Sequence, residues 1–206
     1  QGAGIKPGDV KFLDINHDGV IDEKDRVYAG SPIPRFTYGL TGNISFRDFD
    51  LSLFFQGVNG NKIYNQVLTD IEGFYRPFNI TQRIAAKAWT GEGSTNEFPR
   101  LSWSGGQNNK QASTRFLEDG SYLRLKNVQL GYRLGSGALS RLKISSARFF
   151  ISVQNVFTIT KYTGLDPEMA TSANAATAGE GDRAIGIDWG TYPSARTFTA
   201  GVNLNF

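Results

Sequence analysis

The stretch Asp14-Ile15-Asn16-His17-Asp18-Gly19-Val20-Ile21-Asp22-Glu23-Lys24-Asp25 has the oxygen-rich spacing that a hard cation needs. Side-chain oxygens fall at loop positions one, three, five, nine and twelve, on Asp14, Asn16, Asp18, Asp22 and Asp25. Gly19 stands at position six, where the chain must turn sharply, and Val20 offers its carbonyl at position seven. Calcium takes six or more oxygens at about 2.4 Å, and alternate side chains of a tight loop can converge on one point. The spacing therefore predicts a structural calcium site on Asp14, Asn16, Asp18, Val20, Asp22 and Asp25. The plainer alternative is a solvated acidic turn, since Asp and Gly are ordinary turn residues. Asp25 stands at position twelve in place of Glu, and its shorter arm points to weak, extracellular-type affinity.

Little else in the chain could do chemistry. Its 206 residues include no Cys and a single His, His17, which lies inside the acidic loop. Thiol catalysis, disulfides, His-dependent triads and multi-histidine metal centres are excluded. Carboxylate pairs could be drawn from Glu72, Glu92, Glu97 or Asp166, but no pattern orders them, and they read as solvated loop charges. Gly179-Glu-Gly-Asp-Arg-Ala-Ile-Gly186 has the wrong spacing for a phosphate loop and no strand running into it. Net charge is +3 with both signs scattered, so nucleic acid is not an expected partner. The expectation is a protein that is not an enzyme.

The elements that hold these residues are strands. Aromatic residues make up 13% of the chain, and many sit in segments that alternate with period two. Five such segments are expected, at about 37–46, 49–57, 121–134, 147–157 and 196–206, each with one apolar and one polar side. Leu123 and Leu125 fall out of phase with Val128 and Leu130, which calls for a bulge or a stretch beyond the membrane. Asn127, Gln129, Arg133 and Arg148 lie on the polar side. Arg47–Asp48 reads as a tight turn and Gly135–Ser146 as a short connection, whereas 58–120 and 158–195 are long loops. Thr81–Trp89 reads as a short helix with Ile84, Ala85, Ala88 and Trp89 on one face, ended by Gly91 and Gly93.

Short turns at one end and long loops at the other are the pattern of bacterial outer-membrane barrels. The fold class expected is all-β, the C-terminal strands of a large antiparallel transmembrane β-barrel with long extracellular loops. Residues 1–36 form an extracellular segment carrying the calcium motif, and 37–206 the strands and loops. Phe46, Phe49 and Phe206 would sit in an aromatic girdle at the inner rim. Five strands cannot close a barrel, and an open edge in lipid would leave backbone groups unsatisfied. The strands are therefore expected to belong to a longer chain. The competing architecture is a secreted, soluble β-sandwich that binds carbohydrate through aromatic loops, with calcium structural.

Several motifs occur in order: Gly8-Asp-Val-Lys-Phe12, the acidic loop, Gly30-Ser-Pro-Ile-Pro-Arg-Phe-Thr-Tyr-Gly39, Phe49–Gly57 with Gly60-Asn-Lys-Ile-Tyr-Asn65, and Tyr162-Thr-Gly-Leu-Asp-Pro-Glu168. This series resembles the C-terminal end of SusC/RagA-like TonB-dependent outer-membrane transporters. The resemblance implies a barrel of 22 strands closed by an N-terminal plug, and a SusD-like surface lipoprotein as lid. It also implies import of glycans or peptides across the outer membrane of a Gram-negative bacterium, driven through the TonB complex. The terminal Phe206 resembles a barrel-assembly signal. Partners expected on this basis are the lipoprotein, TonB through the absent N-terminal part, outer-membrane lipids and an oligosaccharide or peptide substrate.

Overall fold

The computed structural model describes residues 5–73, 79–102, 109, 111–135, 144–168 and 185–206. Strands β1 (Phe36–Phe46), β2 (Phe49–Asn59), β3 (Lys62–Asn65), β4 (Leu117–Asp119), β5 (Tyr122–Leu134), β6 (Ser146–Thr160), β7 (Ile187–Asp188) and β8 (Thr197–Asn205) are joined by two short helices, α1 (Gln66–Glu72) and α2 (Gln82–Lys87). The five long strands form one sheet in the order β1-β2-β5-β6-β8, and every neighbouring pair is antiparallel. It is an up-and-down sheet in chain order. Strands of 9 to 15 residues suffice to cross a bilayer at a tilt.

Register sorts the side chains into two faces. One cross-strand row reads Phe46, Phe49, Tyr132, Phe149, Val202, and the next reads Ile44, Leu51, Leu130, Ile151, Ala200. The row beyond is Gly42, Leu53, Val128, Val153, Phe198. Between them lie polar rows such as Asn43, Ser52, Gln129, Ser152, Thr199. Asn127, Gln129, Arg133 and Arg148 all fall on this polar side.

The apolar face is bare. Leu40 is 66% exposed, Ile151 57%, Val202 51% and Leu130 41%. Among the described residues no second sheet covers them, which removes the β-sandwich alternative. Phe46 and Phe49 end this face beside Tyr132, with the Phe49 and Tyr132 rings 4.8 Å apart. These rings form an aromatic band at the end of the sheet that carries the short turns.

The phase break in β5 is a bulge. Phe54 and Phe55 of β2 pair with Asn127 and Leu125, leaving Lys126 as the extra residue. Leu123 and Leu125 thereby return to the apolar face, opposite Ile159 and Phe157. At the sheet's other end the Arg47–Asp48 turn is tight, with Arg47 at φ 54°. The connection after Leu134 lies mostly outside the described residues, as do Trp103 and most of 179–186.

The dry core lies in the long loops. Ile63, Ile84 and Phe116 are almost wholly buried, and Tyr162 and Phe98 nearly so. A second, three-stranded sheet, β4-β3-β7, joins the two long connections, since β3 and β4 come from the first and β7 from the second. The helix expected at Thr81–Trp89 is shorter than its apolar spacing predicts. Ala88 turns extended (φ −64°, ψ 147°) because its backbone bridges in parallel to Phe98, and Ala85 is exposed.

Candidate functional site

The described parts of the long connections and of the N-terminal segment fold together at the mouth of the sheet. Lys62 N donates to Ser31 O (2.7 Å), Tyr64 N to Gly186 O (2.7 Å) and Arg100 N to Gly8 O (2.8 Å). The Gly8–Phe12 motif is held by its side chains as well as its backbone. Asp9 accepts from Arg100 and from Asn109 Nδ2 (3.0 Å), while Asn109 Oδ1 accepts from Val10 N (2.7 Å). Burial pushes the Asp9 carboxyl up, but the Lys6 amide, Arg100 and Asn109 outweigh it and hold it below the ordinary carboxylate range. Gly8, at φ 87°, lies against the Trp89 ring, where a Cβ would come within 2.2 Å of a ring carbon. Only glycine satisfies both demands.

Tyr162–Glu168 ties this body to the wall. Tyr162 Oη donates to Asp188 Oδ2 (2.5 Å), and Thr163 donates through N and Oγ1 to Glu118 (both 2.8 Å). Burial, then the Asp188 carboxylate, drive the Tyr162 hydroxyl well above its ordinary pKa, so it stays a donor. Asp166 and Glu168 reach Arg124 and Lys126 of β5. Asp166 is therefore not a solvated loop charge but a buried partner of a guanidinium, 4% exposed. Glu72 differs from expectation in the same way. It is 2% exposed and accepts from Thr81 Oγ1 and, through both oxygens, from Arg83 Nη2 (2.7 Å each). Glu92 and Glu97 are exposed as expected. Period-two reading missed these pairs because each joins residues from different elements, Glu72 of α1 to Arg83 of α2 and Asp166 and Glu168 of a connection to β5. The clue in the sequence was Arg124 and Lys126 flanking the phase break.

The acidic loop is built as a compact turn. Asp14 Oδ2 accepts from Gly19 N (2.8 Å), Asn16 Oδ1 from Asp18 N (3.0 Å) and Asp18 Oδ1 from Val20 N (2.9 Å). Asp22 caps a 3-10 turn at Glu23–Asp25, and Asp25 reaches back to Ile15 N and Asp22 N (2.8 Å each). Those two amides, that of Asp22 first, hold the Asp25 carboxyl below its ordinary range. Gly19 supplies the left-handed turn at φ 82°. Asp14 Oδ1 is buried with no hydrogen-bond partner, and the donor set is all oxygen, as a hard cation requires. Among the described residues, however, no three carboxylate or imidazole groups converge on one point. Lys24 Nζ lies 3.9 Å from Asp18 and 4.0 Å from Asp22. The residues fit calcium in type and order. A groove of about 1000 Å³ opens beside the loop, lined by Phe12, Ile21, Asp25, Val27, Tyr64 and Leu117.

The polar face below this body carries an ion pair between Asp50 of β2 and Arg148 of β6 (Nε to Oδ1 2.9 Å). The pair crosses β5 at Gly131, where a Cβ would come within 2.6 Å of both side chains.

A sheet with a bare apolar face, a polar face with ion pairs, short turns at one end and a folded loop body at the other is part of an outer-membrane β-barrel. No protein-family model matches the chain. The TonB-dependent receptor P3 of Formosa agariphila is 35% identical over 97% of this chain and 19% of its own length. The TonB-dependent receptor SusC of Bacteroides thetaiotaomicron is 29% identical over 98% of this chain and 18% of its own length. The solved RagAB peptide importer in its closed-closed state matches with a TM-score of 0.66 and 26% identity, over 92% of this chain and 20% of that one. In its open-open state the figures are 0.64 and 28%, over 84% and 17%. Over nearly its whole length the chain is similar to SusC/RagA-like TonB-dependent receptors of the Gram-negative outer membrane, and it corresponds to a C-terminal part of their barrel. It is not an enzyme, its relatives being receptors and importers. It spans about a fifth of the length of the curated relatives it matches.

Proposed function

We propose that this chain supplies one wall and part of the mouth of a transporter that imports oligomeric nutrients, glycans or peptides, across the outer membrane. The observation that carries this reading is the two-faced sheet: its bare apolar side suits acyl chains, and its polar side, roofed by the loop body, suits a wet interior. The relatives support the energy source, being TonB-dependent receptors by name. The solved RagAB complexes are peptide importers by name, which supports counting peptides beside glycans as candidate substrates. A SusD-like surface lipoprotein would cover the mouth. TonB would act through parts of the receptor that this chain does not contain.

In the same proposal, calcium bound by Asp14, Asn16, Asp18, Val20, Asp22 and Asp25 clips the N-terminal segment in place. Ordering a loop costs roughly 1–2 kcal/mol per residue in backbone entropy, so a cation bridging its carboxylates offsets part of that cost.

Native mass spectrometry of the intact receptor purified from its outer membrane tests the reading. A co-purifying lipoprotein together with a retained glycan or peptide is the expected result. A receptor that comes alone and carries a small mononuclear ligand would overturn it.

A further inference from the structure

Arg124 is the most deeply buried cation among the described residues of the sheet, its side chain 4% exposed. It pairs in register with Gln56 and Thr158, so it sits on the polar, luminal face of β5. Each of its nitrogens is used: Nε donates to Thr158 Oγ1 (2.7 Å), Nη1 to Glu168 Oε2 (2.6 Å) and Nη2 to Asp166 Oδ1 (2.5 Å). Lys126 Nζ contacts both oxygens of Glu168 at 2.7 Å. It stands two residues after Arg124, on the same side of the strand, as the extra residue of the bulge. The far end of the same connection is fastened at this point too. Asp166 Oδ2 accepts from Ser194 N (3.3 Å), and Asn155 Nδ2, at the irregularity in β6, donates to Ala195 O (2.9 Å).

The direction of this fastening decides its meaning. A long loop tied to the luminal face must fold inward over the opening, whereas one tied to the rim or to the apolar face could not narrow it. We propose that Arg124 and Lys126 form with Asp166 and Glu168 a charged clasp that holds the 161–168 and 194–196 arms of this connection inside the mouth. That side of the opening is then a fixed wall, and Arg124 is its positioning residue. The clasp goes beyond the import reading and stands whatever the barrel carries.

Hydrogen exchange followed by mass spectrometry on the whole receptor in lipid tests it, using the Glu168 and Ser194 amides, which both donate to Asp166. Breaking a buried ion pair by removing one partner is severe, so Arg124→Met should speed their exchange by roughly a hundredfold or more. Strand amides at Ile151–Val153 should keep their protection. Glu168→Gln, a milder change that retains shape, should act in the same direction, and Arg124→Lys should lie between wild type and Arg124→Met. In wild type, 1 M salt should change nothing, because a buried pair is little screened. Wild-type exchange in Glu168→Gln, or loss of protection by salt alone, would overturn the clasp. If Arg124→Met fails to insert, Glu168→Gln and the salt arm still decide.

Discussion

Substituting arginine along β6 should give costs that follow depth in the membrane, and the register fixes what they should be. Five apolar rows run from Phe46–Phe49 at the turn end to Tyr38–Gly57 at the loop end. At about 3.3 Å per residue they cover about 26 Å of strand, or roughly 20 Å along the membrane normal at a tilt near 40°. Val153 lies in the middle row, opposite Val128, and Phe149 in the outermost row, opposite Tyr132. An arginine on the lipid face costs about 2–4 kcal/mol at the midplane and about 0–1 near the interface. Val153→Arg should therefore destabilise the folded barrel by about 2–4 kcal/mol and Phe149→Arg by about 1 kcal/mol beyond the loss of its ring contacts. Ser152→Arg faces the lumen and should cost less than either. The assay is the urea midpoint of the compact, heat-modifiable form of the whole receptor in lipid vesicles. Equal costs at 149 and 153, or a larger cost at Ser152, would refute the assignment of faces.

Four further outcomes are expected. Asp14→Asn with Asp18→Asn keeps acceptor oxygens for the Gly19 and Val20 amides while removing charge, so it should abolish calcium binding by calorimetry; an unchanged isotherm would remove the site. For a site with Kd of about 0.1–1 mM, 2 mM calcium stabilises by about 0.6–1.8 kcal/mol, which should appear as slower proteolysis between Gly8 and Arg26 in calcium than in chelator. Gly131→Ala places a Cβ against both Asp50 and Arg148 and should destabilise the barrel, with Gly131→Val worse; a neutral Gly131→Val would show that the pair does not cross there. Burial raises the Asp166 carboxyl, but Arg124 and the Glu168 and Ser194 amides outweigh it and hold its pKa below the ordinary value. Its contribution is therefore fully present above the unfolded pKa of about 3.9 and is lost only as pH falls through the lower folded value. Protection of the Glu168 amide, corrected for intrinsic exchange, should stay flat from pH 7 to about pH 4; a fall near pH 6 would contradict this.

Alternation made the sheet legible, because a strand with one side in lipid and one in water repeats every two residues with no help from distant chain. The five strands, their faces, the Arg47–Asp48 turn and the break at Leu125 all follow from that local rule. The loop body does not. β3, β4 and β7 are only two to four residues long and pair across dozens of residues, so no periodicity marks them. Helix α1 was missed because its seven residues, Gln66–Glu72, turn a polar side chain, Glu72, inward to meet Arg83. Asp166 looked like a loop charge for the same reason: its partner, Arg124, lies some forty residues away. The acidic loop was legible in type and spacing because its contacts stay within the loop, the longest joining Asp25 to the Ile15 amide.

Cysteine scanning from Arg148 to Val153 in the whole receptor, probed with a nitroxide in lipid and a charged paramagnet in water, tests the two faces most directly. The account predicts lipid contact at 149, 151 and 153 and water contact at 148, 150 and 152, in strict alternation. Uniform protection from both probes at 149, 151 and 153 would mean a protein-packed interior on that side and would contradict it.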